Sequence, residues 1–265
     1  MGFDGRLYTT YIEPRLDRLG VRTHLSSLYW VLGVPRLLYR LSSRETVTHE
    51  ISDVTVDFPA ETHWQYERFR WMHPEVQLFE ELVDELEAGD VFYDVGAHLG
   101  WHAIVAASVD ADVTVEAFEP HPQIADRLRT VVDRTGHDVT VHECALADRD
   151  GIGEFEAEPT PAAYLSGAQN ESLESTIDVE LAAGDSIVAD GITDPPDILK
   201  IDAEGADAAV LRGLRKTIVD HQPRRIYCEV HVDGDEIREL LSSFGYTFEP
   251  LSSTRPVLRA VPAEQ

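Results

Sequence analysis

Short apolar segments alternate with amphipathic helical segments from about residue 75 to residue 231, and this alternation restricts the chain to few folds. Each of these segments is short and rich in apolar residues, as expected of a strand that is largely buried between helices. Strands separated by helices form βαβ units, which build a parallel sheet. The sequence therefore predicts an α/β fold. The five predicted strands are Val91–Val95, Val113–Phe118, Val139–Cys144, Ile198–Ile201 and Arg225–Val230.

The segments around these strands have the apolar spacing of amphipathic helices. Gly89 follows the first of them and is expected to cap its C-terminus. After the fifth strand, one more helix precedes two closing strands. The predicted helices are Pro74–Leu86, Trp101–Val109, Pro122–Thr135, Ala206–Val219 and Asp235–Phe244, and the closing strands are Tyr246–Leu251 and Pro256–Val261.

Two regions depart from this alternation. Residues 1–75 are predicted to form an N-terminal extension, with a helical stretch and then a β-hairpin over Thr46–Phe58. Residues 76–265 are predicted to form the main domain. Between the third and fourth strands, Gly153–Glu158 and Thr176–Leu181 alternate like strands around a polar loop at 159–175. A loop of this length near the C-terminal edge of a sheet is usually functional.

The charge of the chain excludes one class of function. Lys and Arg number 22 against 49 Asp and Glu, which gives a net charge of −27. Non-specific nucleic-acid binding needs clustered Lys and Arg, so we expect no nucleic-acid partner. Lys200 and Lys216 are the two lysines of the chain. An acidic, lysine-poor surface is typical of the cytosolic proteins of halophiles, because molar salt screens the self-repulsion.

A cytoplasmic location is expected for this chain. Residues 1–6 lack the apolar segment of a signal peptide, and Cys144 and Cys228 are too few for a disulfide framework. The apolar stretch within residues 25–44 is too short to span a bilayer. We expect it to pack as a helix on its own domain, with peripheral contact to a membrane surface as the alternative.

The strongest local signal is Asp94-Val95-Gly96-Ala97-His98-Leu99-Gly100, which ends the first predicted strand and opens a helix. Gly96 is expected to permit a tight turn and a close ligand, and Gly100 is expected to permit close helix packing. The glycine spacing is G-x-x-x-G, whereas the dinucleotide fingerprint is G-x-G-x-x-G. An acid before the first glycine suits a cationic amino group. Asp94, Gly96, Ala97, His98 and Gly100 are therefore predicted to bind S-adenosylmethionine rather than NAD.

A second carboxylate follows the second predicted strand. Glu119 stands 25 residues after Asp94, next to Pro120. A carboxylate at this place in a nucleotide-binding fold accepts the ribose hydroxyls. Glu119 is therefore predicted to hold the ribose of the cofactor.

Ionisable residues cluster at the ends of the fourth and fifth strands. Lys200, Asp202 and Glu204 share one face of a strand, and Glu229 and His231 share another. Such groups are costly to pack unless they pair or bind something. These five residues are the candidate catalytic residues, with Asp202, Glu204 and His231 as candidate bases. A salt-bridged helix cap and a structural histidine are the alternatives.

A metal site is weakly supported. His98 and His102 have the i, i+4 spacing that zinc ligands on a helix can have. H-E-x-x-H is absent, and no pair of cysteines supports a metal centre. We therefore predict no metal.

The ordered motifs at the strand ends resemble those of the FkbM family of S-adenosylmethionine-dependent methyltransferases. The resemblance covers residues 76–231 and rests on segments that stand in the family's order. Three departures are His98, where the family usually has Asn, Ala203, where it often has Val, and Asp207, where it has Glu. The matching segments are Gly89–Gly100, Phe118–Pro120, Ala145–Gly151, Leu199–Gly205, Val210–Gly213 and Glu229–His231.

This resemblance implies a class I methyltransferase fold, with a Rossmann-like sheet of seven mostly parallel strands, helices on both faces and an antiparallel last strand. It implies that Ala145 and Asp148 lie near the adenine of the cofactor. It also implies that the five candidate catalytic residues line the acceptor side. The family O-methylates sugars and natural products, so the implied acceptor is a hydroxyl or carboxyl group of a sugar or related small molecule. A surface glycan would suit a halophile, by analogy.

Two other functions fit parts of the sequence. A nucleotide-dependent oxidoreductase would use the same kind of sheet, although the missing G-x-G argues against it. A non-catalytic scaffold would use residues 1–75 to bind a partner or a membrane surface. Methyl transfer to a sugar extract separates these alternatives from the methyltransferase.

Overall fold

The computed structural model describes residues 46–70, 75–109, 112–157, 175–231, 234–251 and 257–263. The helical stretch expected within residues 1–45, with its apolar segment at 25–44, lies outside the described residues. Nearly all of the polar loop at 159–175 lies outside them as well.

The strands in chain order are β1 (Thr46–Ile51), β2 (Val54–Pro59), β3 (Val91–Val95), β4 (Thr114–Phe118), β5 (Val139–His142), β6 (Ala145–Ala147), β7 (Gly151–Glu156), β8 (Thr176–Ala183), β9 (Ile198–Ile201), β10 (Arg225–Glu229), β11 (Tyr246–Leu251) and β12 (Val257–Pro262). The helices are α1 (His63–Arg70), α2 (Val76–Glu85), α3 (Trp101–Ala107), α4 (Pro122–Thr135), α5 (Gly184–Ala189), α6 (Asp207–Gly213), α7 (Arg215–His221) and α8 (Gly234–Ser243).

Seven strands form the central sheet, in the order β11-β12-β10-β9-β3-β4-β5. The five strands from β10 to β5 are parallel, and β12 lies antiparallel between β10 and β11. The chain runs outward from β3 through β4 to β5 and then returns to β9, on the other side of β3. The order therefore reverses between β3 and β9, which is where ligands bind in open α/β sheets. The predicted class I methyltransferase sheet is confirmed.

Helices cover both faces of this sheet because neighbouring strand residues point to opposite sides. Tyr93 and Ile201 pack with α5, α6, α7 and α8 on one face. Phe92 and Ile198 pack with α2, α3 and α4 on the other face. Both cysteines are buried and unbridged, as the sequence predicted.

Several predicted boundaries were wrong. The segment predicted as one helix over Ala206–Val219 is two helices, α6 and α7, separated by the buried Leu214. The third strand ends at His142, and the next residues form β6, which pairs with β8 in a separate three-stranded sheet with β7. Gly89 does not cap α2, because Leu86 takes the C-cap position in an extended conformation. Gly89 lies instead in the turn before β3 and donates its N–H to the carbonyl of Asp112.

The described part of the N-terminal extension shares a hydrophobic core with the main domain. The predicted hairpin is present as β1 and β2. Phe58 is fully buried, with its ring centre 4.9 Å from that of Phe69 and 6.0 Å from that of Trp101. Val47 and Val56 belong to the same core. The division at residue 75 stays a prediction, although residues 46–70 contact the helices next to the sheet.

Within the described ranges, no helix has both the length and the apolar composition that a bilayer crossing needs.

We predict that Phe58→Ala lowers the free energy of unfolding by about 3–5 kcal/mol, because it removes a large ring from a shared core. Urea denaturation in molar KCl measures this loss. The exposed Thr55 of the same hairpin supplies the control, Thr55→Ala, which should change the free energy by less than about 0.5 kcal/mol. A loss below about 1 kcal/mol for Phe58→Ala would show that the hairpin is a separate unit.

Candidate functional site

A cavity opens at the C-terminal ends of β3, β4 and β9, beside the point where the strand order reverses. Residues from the glycine loop, from the turns after β4 and β9, and from the described part of the extension share its walls. The lining residues are Arg68, Glu75, Val95, Gly96, Ala97, His98, Trp101, His102, Phe118, Glu119, Pro120, Ile124, Cys144, Ala145, Leu146, Phe155, Lys200, Asp202, Ala203, Glu204 and Ala206.

A buried ion pair lies beneath the glycine loop. Lys200 on β9 stands opposite Asp94 on β3, with Nζ 2.9 Å from Oδ1. Asp94 is fully buried, and its Oδ2 accepts the N–H of Ala103 at 3.0 Å. Lys200 also donates to the carbonyls of Val95 and Gly96, at 3.3 Å and 3.1 Å. The pair therefore fixes both ends of the loop.

This pairing bears on two predicted site residues. Asp94 is not among the residues that line the cavity, and its carboxylate contacts Lys200 and the start of α3, so its binding of the cofactor stays a prediction. Lys200 reaches the cavity wall, but its donors hold the loop rather than face the acceptor side. Burial alone would lower the pKa of Lys200, but the charges of Asp94 and Asp202 outweigh it and raise that pKa, so the amine stays charged.

The two glycines of the loop meet different neighbours. Gly96 has φ +75°, and a Cβ there would stand 1.9 Å from the carbonyl oxygen of Asp202. Glycine is therefore required by the close approach of the β9 turn, whereas the sequence analysis had assigned it to ligand approach. Gly100 has φ +83°, and a Cβ there would stand 2.4 Å from Leu128 of α4. Its predicted role in close helix packing is confirmed.

Glu119 bridges the glycine loop and the turn after β4. Its Oε2 accepts the backbone N–H of His98 and its Oε1 accepts that of His121, both at 2.9 Å. Burial raises the pKa of Glu119 to about 7, against the lowering effect of these two hydrogen bonds. Each carboxylate oxygen retains a further acceptor site. The carboxylate lines the cavity, so it can accept hydroxyl groups there.

The side chain of His98 also lines the cavity. Burial, with the charges of Arg68 and Lys200, lowers the pKa of His98 to about 3. The imidazole is therefore neutral at physiological pH. His98 adopts φ +49°, a left-handed conformation in which Asn, Asp and His are enriched among residues other than glycine.

The apolar part of the cavity lies beyond Glu119. Ile124, Leu146 and Phe155 line it together with Ala145, whose place near the adenine stays a prediction. Asp148 does not reach this wall. It is exposed and pairs with Arg149 at 3.2 Å and with Arg212 at 3.4 Å, and its place beside the adenine stays a prediction.

Four carboxylates surround His231. Its Nδ1 lies 3.2 Å from Asp207, and its Nε2 lies 3.3 Å from Glu204, 3.5 Å from Asp202 and 3.7 Å from Glu229. Burial would lower the pKa of His231, but its hydrogen bond to Asp207 and the nearby carboxylates raise it to about 9. The ring is therefore a cation at neutral pH.

The positive charge of His231 bears on its predicted role as a base. An imidazolium cannot accept a proton, so His231 is not a general base near neutrality. Neither His231 nor Glu229 lines the cavity, whereas Asp202 and Glu204 do. His231 contacts both cavity carboxylates without lining the cavity itself, so its role is to position them.

Asp207 is a buried residue of the site that the sequence analysis did not select. Its Oδ1 accepts the N–H of Ala203 at 2.8 Å and its Oδ2 accepts that of Gly205 at 3.3 Å. It thereby holds both the loop after β9 and His231. An acid in the first turn of α6 was the available signal, since carboxylates favour helix N-termini.

A further wall of the cavity comes from α1, α2 and α3. Trp101 follows the glycine loop directly, and the guanidinium carbon of Arg68 lies 5.6 Å from its ring centre. His102 Nε2 lies 3.2 Å from Glu75 Oε2. An aromatic residue after the loop was a usable signal for Trp101, but no local motif indicated Arg68 or Glu75.

In the described part of the chain, the group of possible metal ligands includes neither His98 nor His102. Among the described residues, Asp202, Glu229 and His231 are the His and acidic groups whose ligand atoms lie within 4.8 Å of one another. His231 would have to lose its proton before it could bind a metal.

Comparison with known proteins gives consistent matches. Residues 94–248, more than half of the chain, match the family model described as the methyltransferase FkbM domain. A hexuronic acid methyltransferase, AglP, from Haloferax volcanii is 29% identical over 201 residues, which are 75% of this chain and 81% of that protein. The 31-O-demethyl-FK506 methyltransferase FkbM from Streptomyces tacrolimicus is 31% identical over 197 residues, with coverages of 62% and 75%.

A solved structure shows the same fold. The methyltransferase FkbM from Methylobacillus flagellatus KT aligns with a TM-score of 0.52 and 17% identity. The alignment covers 75% of this chain and 54% of that chain.

We predict that the free energy of unfolding falls by about 2–3 kcal/mol as the pH rises from 6.5 to about 9. The folded pKa of His231 exceeds its unfolded value, so its stabilisation is complete below the unfolded pKa and is lost as the pH passes the folded pKa. Urea denaturation at a series of pH values measures the slope.

His231→Gln should remove most of this slope, with a smaller part near pH 7 left by the raised pKa of Glu119, and His221→Gln, which replaces an exposed histidine, should retain it. A wild-type stability that does not change over this range would contradict the ionised state assigned to His231.

Proposed function

Because the chain belongs to the FkbM family of methyltransferases, which use S-adenosylmethionine, we propose that it methylates a hydroxyl or carboxyl oxygen of a sugar. The observation that carries the proposal is the cavity itself, which is lined by both carboxylates and apolar side chains at the reversal of strand order. Similarity to a hexuronic acid methyltransferase over most of its length supports a sugar acceptor.

The residues of the cavity fit the cofactor. S-adenosylmethionine carries an amino group, a sulfonium, a ribose diol and an adenine. Glu119 is buried, lines the cavity and retains acceptor sites for the two ribose hydroxyls. The carboxylates of Asp202 and Glu204 complement the positive groups, and the apolar wall of Ile124, Leu146 and Phe155 suits the adenine.

The cofactor supplies an electrophilic methyl group when bound. The chain contributes position, because holding an acceptor oxygen in line can account for much of the rate. A hydroxyl acceptor must also lose a proton. Asp202 and Glu204 are the cavity carboxylates that can take it, and the Nε2 atom of His231 lies 3.5 Å from the first and 3.3 Å from the second. A carboxylate acceptor needs no base.

The proposal is tested by transfer of a radiolabelled methyl group from S-adenosylmethionine to sugars in molar KCl. The acceptor panel pairs each uronic acid with its neutral counterpart, glucuronate with glucose and galacturonate with galactose, together with glycan extracts. The expected result is labelled sugar. Absence of transfer by a protein that binds the cofactor product would contradict the proposal and favour the non-catalytic scaffold.

We predict that Glu119→Gln weakens the affinity for S-adenosylhomocysteine about 10- to 100-fold, the loss expected for a charge-assisted hydrogen bond. The N–H groups of His98 and His121 both donate to the carboxylate. The side chain of Gln has one oxygen, so its amide nitrogen would face one of these two N–H groups. Isothermal titration measures the affinity.

A buried acid of β4, the strand that precedes Glu119, supplies the control. Glu116 bonds to His142 at 2.6 Å and does not line the cavity, so Glu116→Gln should leave the affinity unchanged. An unchanged affinity in folded Glu119→Gln would remove Glu119 from the cofactor site.

A further inference from the structure

One wall of the cavity comes from outside the region that defines the family. The family match begins at Asp94, but Arg68 of α1 and Glu75 before α2 also line the cavity. These residues meet the first turn of α3, where Trp101 and His102 lie. The segments assigned to the cofactor contribute neither Arg68 nor Glu75, so this wall is left for the acceptor.

Trp101 forms a rigid platform in this wall. Its ring centre lies 6.0 Å from that of Phe58, 5.8 Å from that of Phe69 and 5.9 Å from that of Phe79. The side chain is 8% exposed and lines the cavity. A fixed indole beside a cavity offers an apolar surface for the C–H face of a sugar ring.

Arg68 adds a positive charge over this platform, with its guanidinium carbon 5.6 Å from the centre of the Trp101 ring. Arg68 and Lys200 are the Arg and Lys residues that line the cavity in the described part of the chain. Lys200 donates to Asp94 and to the glycine loop.

A guanidinium is suited to a carboxylate. Its planar N–H groups match the two oxygens of a carboxylate in a bidentate pair. The carboxylates of Asp202 and Glu204 line the same cavity and would repel an anionic acceptor at short range, so a cation on the acceptor wall offsets that repulsion.

We propose that Arg68 is a specificity-determining residue that binds the carboxylate of an acidic sugar while the sugar ring lies against Trp101. This inference rests on the proposed function, because it assigns the class of acceptor to the same cavity.

Direct binding tests the inference without turnover. The full-length protein saturated with S-adenosylhomocysteine is titrated with glucuronate and with glucose, and with galacturonate and galactose. The wild type should bind each uronate about 10- to 100-fold more tightly than its neutral counterpart. Arg68→Met should abolish this preference, and Arg68→Lys should retain part of it, since the charge stays but the bidentate fork is lost.

Two controls separate recognition from folding. Arg68→Met should keep the wild-type affinity for S-adenosylhomocysteine, which shows an intact cofactor site. Arg129→Met removes an Arg of α4 that pairs with Asp126 and Glu143 outside the cavity, and it should keep the uronate preference. In turnover, Arg68→Met should raise KM for uronates more than it lowers kcat.

The outcomes distinguish this inference from the proposed function. Equal wild-type binding of uronates and neutral sugars, no wild-type binding of uronates, or an undiminished preference in Arg68→Met would each overturn the role of Arg68. Methyl transfer to a neutral sugar in any of these cases would leave the proposed function standing. Uronate binding that depends on Arg68, without methyl transfer to any sugar, would overturn the proposed function and retain the binding site.

Discussion

The ion pair between Asp94 and Lys200 is the interaction on which the site depends. It joins β3 to β9 where the strand order reverses, and both partners are almost fully buried. Removing one partner of such a pair leaves an uncompensated charge, which typically costs about 3–5 kcal/mol. The pair also determines position, because its remaining polar contacts go to Ala103 and to the carbonyls of Val95 and Gly96. The glycine loop and the start of α3 are thereby fixed to the sheet.

Other acids of the site also hold backbone segments in place, because their carboxylates accept hydrogen bonds from backbone N–H groups. Glu119 holds His98 and His121, and Asp207 holds the loop after β9. His231 is surrounded by carboxylates and offsets their repulsion. In an acidic chain these contacts place the carboxylates of Asp202 and Glu204 in the cavity.

The sheet was predictable from the sequence because buried parallel strands are continuous apolar runs bounded by turns. Val91–Val95 and Ile198–Ile201 were predicted with the observed bounds. Which acids pair with which cations was not predictable, because such contacts join residues far apart in the chain, as Asp94 and Lys200 show. Arg68 was not predicted to line the cavity, because it also lies far along the chain from most of the other cavity residues. The resemblance placed Asp148 by alignment, but its exposed position beside two arginines was visible only in the fold.

Isothermal titration of S-adenosylhomocysteine into the wild-type protein in molar KCl, with NADH as the control ligand, tests the central claim most directly. The family uses S-adenosylmethionine, and carboxylates line the cavity beside the glycine loop. The account predicts that one molecule of S-adenosylhomocysteine binds per chain and that NADH does not bind. A folded protein that binds NADH, or that binds neither ligand, would contradict the account.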